Sequence, residues 1–292
     1  MTENCTPIEL VVHPGIGDLS WIFSKLSTTG EKFDLVIAED LKTQRAMPLV
    51  EMVECINSAR YGGHSEYYPL AKCGNSTFAD YKKAGKEGKK LYMTANNWLE
   101  KGKRLEGYLP DLETDFHYKL DTSPQDDWAA EKLAGHRRLM GIYTSGAEGI
   151  KVWNGWSHLE WTDFIRQVDW QFPYTTFVFL GAQWDMDMRE PMLKMMEEYR
   201  IDYLDFIGKT DLIRATAIIK QLDYFAGYAS GLTILANVVR TPVLMLYPNH
   251  LVKLINSWPS VESMIDGTYQ GHTWQRPYEI FERIKSILKD YV

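Results

Sequence analysis

The sequence predicts an α/β protein built as two halves, each a parallel sheet wrapped by helices. Three observations predict it. The chain opens with an apolar run, a glycine turn and a helically spaced stretch, the start of a βαβ unit. From about residue 138 onward, short apolar runs alternate with amphipathic segments of roughly ten residues, the rhythm of a parallel sheet with helices on both faces. A length of 292 residues is enough for two domains, each with its own core.

Residues 8–12 (IELVV) read as a buried parallel strand, followed by the turn His13-Pro14-Gly15-Ile16-Gly17-Asp18 and a helix over 19–26. A second strand is expected over 33–38 (FDLVIA) and a helix over 45–56. Between 57 and 118 the pattern weakens, and short strands and loops are expected. In DTSPQDD at 121–127, Ser123 and Pro124 resemble the cap and first turn of a helix running to Leu133. The domain boundary is set here, with residues 1–122 as the first domain and 123–275 as the second. Strands are then expected at 138–144, 175–180, 202–207, 224–227 and 242–247. Helices are expected at 159–168, 188–199, 211–221 and 232–239. The last segment, 277–291, is an amphipathic helix with apolar residues at Ile280, Phe281, Ile284, Ile287 and Leu288.

Composition narrows the class. Hydrophobic residues at 45% and charged residues at 24% are ordinary for a soluble globular chain. No stretch approaches the roughly 18 apolar residues that span a bilayer. The N-terminus shows no basic and apolar leader pattern, so a cytoplasmic location is expected. Cys5, Cys55 and Cys73 are far apart and form no CxxC pair, which argues against a disulfide framework or a structural zinc site. A formal charge of −7 argues against a surface-wide nucleic-acid footprint. Basic charge is local, in the Lys-rich segment 82–104, which reads either as a solvated face or as a local phosphate-contacting patch. The ten Trp suit sugar-stacking surfaces and core filling equally.

Four segments carry chemistry. The turn His13–Asp18 sits at the carboxyl end of a strand, where α/β sheets bind ligands, and its glycines admit close backbone approach. It is a poor dinucleotide fingerprint, since Ser20 stands where a third glycine belongs. Asp18 there is either a catalytic carboxylate or an ordinary first-turn acid. The segment 144–161 (TSGAEGIKVWNGWSHLEW) offers Thr144, Ser145 and Lys151 to a diphosphate. It reads equally as an aromatic loop capped by Ser157. Ser230 and Gly231 open a helix after the strand at 224, another potential anion site, although Gly231 also suits close helix–sheet packing. Asp185 and Asp187 are spaced like the DxD pair that shares a divalent cation with a diphosphate, but acids at the first turn of a helix are also routine dipole partners. There is no His pair with ligand spacing, GxSxG elbow or GxxxxGK[ST] loop.

Together these segments resemble glycosyltransferase family nine, the ADP-heptose:lipopolysaccharide heptosyltransferases. HPGIGDLSW is similar to the family's N-terminal glycine turn, and YTSGAEGIKVW to its segment ending in Lys-x-Trp. FVFLGAQWD resembles its nucleoside-contacting loop. GKTDLIRATAIIKQLDYFAGYASGLTILANVVRTPVLMLYP keeps the family's rhythm over about 40 residues. Two positions depart from it: Ala229 stands where the family has Asp before Ser/Thr-Gly, and Ile234 where it has His.

The resemblance implies the GT-B architecture, two Rossmann-like domains facing a cleft, with the last helix (276–292) packing back on the N-terminal domain. It implies sugar transfer from a nucleoside-diphosphate sugar to an acceptor hydroxyl, inverting and without a metal, and no cofactor beyond that co-substrate. Asp18 falls on the catalytic base. Gly17, Thr144, Ser145, Lys151, Gln183 or Asp185, Ser230 and Gly231 fall to the donor, and His13 to the acceptor; Trp153 matches the Trp of Lys-x-Trp. A lipopolysaccharide-type glycan is the implied acceptor. Three alternatives stand beside it: transfer onto modified bases of viral DNA through segment 82–104, a nucleotide-sugar-binding module inactivated by Ala229 and Ile234, and a metal-dependent enzyme using Asp185 and Asp187.

Overall fold

A computed structural model describes residues 8–38, 46–62, 77–86, 92–93, 107–144, 155–247 and 266–292. They form two compact units, one ending at Asp121 and the other beginning at Thr122.

The first unit is a four-stranded parallel sheet in the order β3-β2-β1-β4. Its strands are β1 (Ile8–Val12), β2 (Phe33–Ala38), β3 (Ile56–Gly62) and β4 (Tyr92–Met93); the helices are α1 (Ile16–Leu26), α2 (Ala46–Glu51) and α3 (Phe78–Lys86). Val11 and Val12 and the apolar run of β2 are buried, as are Leu19, Ile22, Phe23 and Leu26 of α1. α2 is shorter than the helix expected over 45–56, because Ile56 already pairs with Phe33 to start β3. That strand (INSARYG) lies at the sheet edge and is largely polar, so no apolar run announces it. Residues 107–121 return along α1 and α2. Tyr118 packs edge-on against Phe23 with ring centroids 6.1 Å apart, and its hydroxyl shares a 2.9 Å hydrogen bond with Ser20. Leu120 bridges to Val53, and the buried Lys25 ammonium donates to the Leu112 carbonyl at 3.1 Å.

The second unit is a six-stranded sheet, every pairing parallel, in the order β10-β9-β8-β5-β6-β7. The chain runs through α4 (Ser123–Leu133), β5 (Arg138–Tyr143), α5 (His158–Gln171), β6 (Thr175–Phe179), α6 (Met186–Tyr199) and β7 (Tyr203–Asp205). It continues through α7 (Leu212–Ile219), β8 (Tyr224–Tyr228), α8 (Gly231–Val238), β9 (Val243–Tyr247), β10 (Tyr269–His272) and α9 (Pro277–Tyr291). The winding runs outward from β5 to β7, returns to β5's other side at β8, and runs outward again. This is the doubly wound Rossmann order, and the reversal lies between β5 and β8.

Alternate strand residues divide the two faces. Met140, Ile142, Phe177, Phe179, Tyr224, Ala226, Tyr228, Leu244 and Leu246 share one core with Trp156, with Trp161, Phe164, Ile165 and Val168 of α5, and with Met188, Met192, Leu193 and Met196 of α6. β10 (YQGH) was not foreseen, for it has no apolar run; it pairs with β9 from Leu244 to Tyr247.

The last helix, expected to pack back on the N-terminal domain, is buried in the second unit: Ile280, Phe281, Ile284 and Leu288 lie in its core, where α9 packs against α5. That core presents Trp156 and Trp161, both fully buried, and a long apolar stripe is best satisfied there. Ile284→Ala should therefore destabilise the second unit by about 2–5 kcal/mol through lost burial and a residual cavity, read as a lower midpoint in chemical denaturation. A midpoint within error of wild type would remove α9 from that core.

Candidate functional site

In doubly wound sheets ligands bind beyond the carboxyl ends of the strands, at the point where the winding reverses. Here that point is flanked by the ends of β5 and β8. The two strands are in register from Met140–Tyr224 to Tyr143–Gly227. A Cβ on Gly227 would stand 2.9 Å from the Tyr143 Cβ, so the strand ends approach closely. Thr144 follows β5 and is buried at 2% exposure. Ser230 and Gly231 follow β8. Ser145, Lys151 and Trp153 lie outside the described residues. The sheet thus brings Thr144 beside the Ser230 turn, from positions 86 residues apart in the chain.

Ser230 is the extended N-cap of α8, and Gly231 is the first helical residue. The Ser230 N–H donates to the Thr233 hydroxyl at 3.0 Å, and that hydroxyl donates back to the carbonyls of Tyr228 and Ser230, both at 2.9 Å. Thr233 thereby fixes the turn, and sequence reading had not singled it out. The Ser230 Oγ is buried and has no protein partner. Gly231 does not take a left-handed φ, so the backbone itself does not demand glycine there.

The neighbouring strand ends carry the other predicted contacts. Asp185 is 2% exposed, and its carboxylate accepts the Ala182 N–H at 2.6 Å, closing the turn after β6. Asp187 is exposed, so the DxD-like pair is divided between a backbone cap and the surface. Gln183 is exposed and lies against Gly208, where φ is +69° and an added Cβ would meet the Gln183 Oε1 at 2.8 Å. Glycine at 208 therefore serves both a left-handed turn and this close contact.

That turn is braced by a charge cluster invisible in the sequence. Asp205, at the end of β7, accepts Arg189 Nε and an Arg189 terminal nitrogen at 2.9 and 2.7 Å, and the Lys209 ammonium as well. Its second oxygen accepts the Ile207 N–H at 3.2 Å. Burial pushes its acidity the unfavourable way, but the donors from Arg189 and Lys209 outweigh that and hold the carboxyl below its ordinary range.

In the first unit the ligand edge follows β1. The His13 N–H donates to the Met93 carbonyl at 3.4 Å, carrying the β1–β4 pairing into the turn. The Gly15 N–H donates to His13 Nδ1 at 3.0 Å, so that nitrogen is the acceptor and the proton of the neutral ring sits on Nε2. The glycine turn is shorter than it reads, for α1 starts at Ile16 and Gly17 lies inside its first turn. Asp18, also in that turn, is buried at 2% exposure, where the helix dipole favours its charge.

Other expectations resolve differently. Trp156, just before α5, and Trp161, within it, are fully buried core, not a sugar platform. Ser157 caps α5 in a reciprocal box, its Oγ taking the Glu160 N–H at 3.4 Å and Glu160 taking the Ser157 N–H at 2.7 Å. In the basic segment, Lys82 is ion-paired with Glu31 and sits 5.4 Å from the Phe78 ring centroid. Among the described residues no group of three or more His, Cys, Asp or Glu is arranged to hold a metal ion, and no helix is long and apolar enough to cross a membrane.

Comparison with known proteins agrees with this architecture. Residues 93–276 match the sequence model of glycosyltransferase family 9 (heptosyltransferase). The fold is similar to E. coli ADP-heptose LPS heptosyltransferase II, with TM-score 0.65 and 14% identity, covering 97% of this chain and 98% of that one. A family 9 glycosyl transferase from Veillonella parvula gives TM-score 0.68 at 12% identity, covering 97% of both chains. E. coli heptosyltransferase WaaC with ADP gives TM-score 0.59 at 10% identity, covering 96% of this chain and 99% of that one. By sequence, no curated protein matches the chain.

The Asp205 cluster predicts a pH dependence. A carboxyl held low in the folded state adds stability that is present above its unfolded pKa and lost as pH falls through the folded value. Asp205→Asn should melt lower than wild type at pH 7, and the difference should shrink as pH drops below about 4. Parallel melting curves from pH 7 to pH 2, with a constant gap, would show that Asp205 makes no charge-dependent contribution.

Proposed function

The chain belongs to glycosyltransferase family 9, a GT-B glycosyltransferase of the kind that uses nucleotide sugars, and from that premise we propose an inverting, metal-independent sugar transfer with Asp18 as base. The observation that carries the donor half is the reversal between β5 and β8, flanked by Thr144 on one side and the Ser230-Gly231 helix start on the other. Free N–H groups at a helix start favour a diphosphate, and the unsatisfied Ser230 hydroxyl adds a further donor. Ser145 and Lys151 belong, on the family resemblance, to the same loop, where the ammonium neutralises the departing phosphate. Of the two nucleoside candidates, the exposed Gln183 is favoured over Asp185, whose carboxylate already serves the Ala182 N–H.

In the reaction the acceptor hydroxyl attacks the anomeric carbon while the Asp18 carboxylate takes its proton. The bond from that carbon to the diphosphate oxygen breaks, the nucleoside diphosphate leaves, and the anomeric configuration inverts. His13, beside Asp18 in the β1 turn and carrying its neutral-ring proton on Nε2, is assigned to the acceptor. Two of the structural relatives are heptosyltransferases, one of lipopolysaccharide and one holding ADP, which supports an ADP-heptose-like donor and a lipopolysaccharide-type acceptor.

Asp18→Asn keeps the side chain's size and removes its basicity. Turnover should fall roughly 100-fold or more, with binding of the donor unchanged by calorimetry. Near-normal turnover in the folded Asn variant would end the assignment of Asp18 as base.

The donor site is tested first by calorimetry of wild type against a panel of nucleoside diphosphates, of which one or more should bind. Gly231→Val should then abolish binding of the best of them with the protein still folded, since a branched side chain at the helix start crowds the anion. A variant that melts lower but binds normally once folded would move the donor site away from Ser230-Gly231.

A further inference from the structure

We propose that Tyr228 is a positioning residue, whose hydroxyl clamps the backbone at Trp156 and whose carbonyl holds Thr233, so that the Ser230 turn facing the donor diphosphate is kept in place. The proposal rests on the donor site lying at the β5–β8 reversal.

Tyr228 is the last residue of β8, two before Ser230, and its side chain is fully buried. Its hydroxyl donates to the Trp156 carbonyl at 3.1 Å and accepts the indole N–H of Trp161 at 3.1 Å. The partners lie 72 and 67 residues away in the chain. The Tyr228 ring stands edge-on to Trp161, with centroids 5.7 Å apart at 74°. Trp156 is itself fixed: its ring lies edge-on to Trp161 at 5.0 Å, and its own N–H donates to the Gln275 carbonyl at 3.0 Å.

The close approach has a sequence requirement. A Cβ on Gly155 would stand 2.2 Å from the Tyr228 hydroxyl, so only glycine lets the backbone come this near. On its other side Tyr228 holds the donor turn directly, because its carbonyl accepts the Thr233 hydroxyl that also takes the Ser230 N–H. One residue therefore ties the end of the segment that leaves β5 to the turn that opens α8.

Packing alone does not explain the oxygen. Phenylalanine fills the same aromatic cluster, and a buried hydroxyl is tolerated only where hydrogen bonds compensate its lost hydration. Burial also raises the phenol's pKa, which keeps the proton in place for donation to Trp156 throughout the neutral range.

The test compares two variants that each lose a buried hydrogen bond. Tyr228→Phe removes the oxygen and with it the bond to Trp156. Trp161→Phe removes only the indole donor and leaves the Tyr228–Trp156 bond. Both should lower the melting temperature. Only Tyr228→Phe should speed amide hydrogen exchange in the peptide covering residues 155–157. Only it should weaken, by about tenfold, calorimetric binding of the nucleoside diphosphate that binds wild type best, the scale of one hydrogen bond; Trp161→Phe should stay within about twofold. Unchanged exchange at 155–157 in Tyr228→Phe overturns the clamp, as does wild-type affinity in that variant or equal weakening in both. A wild type that binds no nucleoside diphosphate would instead overturn the donor reading, while the exchange comparison would still decide the clamp.

Discussion

The pairing of β5 with β8 is the contact that fixes the reversal of winding in the second unit. These strands are neighbours in the sheet although three helices and two strands separate them in the chain. The chain arrives at β8 from the opposite direction of winding, so the helices that follow the two strands leave toward opposite faces. In doubly wound sheets such a reversal leaves a crevice at the carboxyl edge, which is why ligands bind there. Gly227 lets this happen tightly, for any side chain there would strike Tyr143 and push the strand ends apart.

Around that reversal, many polar and aromatic side chains are spent on structure. Asp185 closes its own turn, Asp205 gathers Arg189 and Lys209, and Thr233 ties Ser230 to Tyr228. Trp156 and Trp161 are core. What these groups leave unused is the helix start at Gly231 and the exposed Gln183. Carboxylates are thus satisfied by backbone N–H groups and cations, while the donors of the α8 helix start remain for an anion. That division suits a diphosphate, which brings acceptors and needs donors.

The same economy governs the first unit on a smaller scale. Gly15 donates to His13, the β1–β4 pairing carries the turn forward, and Asp18 is drawn into the first helical turn. A carboxylate in that first turn is oriented by the helix, whose dipole favours its charged form.

The apolar runs by themselves determined β5, β6, β8 and β9, because parallel strands buried on both faces need continuous hydrophobic sequence. The glycine turns after β1 and β8 were legible for a related reason: a helix start against a strand end constrains residue type locally. Local pattern failed where burial is one-sided or partners are distant. β3 and β10 carry too few apolar residues to read as strands, and only their parallel neighbours define them. α9 has an apolar stripe that specifies burial but not against which unit, and the aromatic core around Trp156 and Trp161 decided that. Tyr228 looked like any buried strand residue until folding brought Gly155 and Trp156 against its hydroxyl. Periodicity encodes which face of an element is buried; which groups meet across that face is set by packing between residues far apart in the chain.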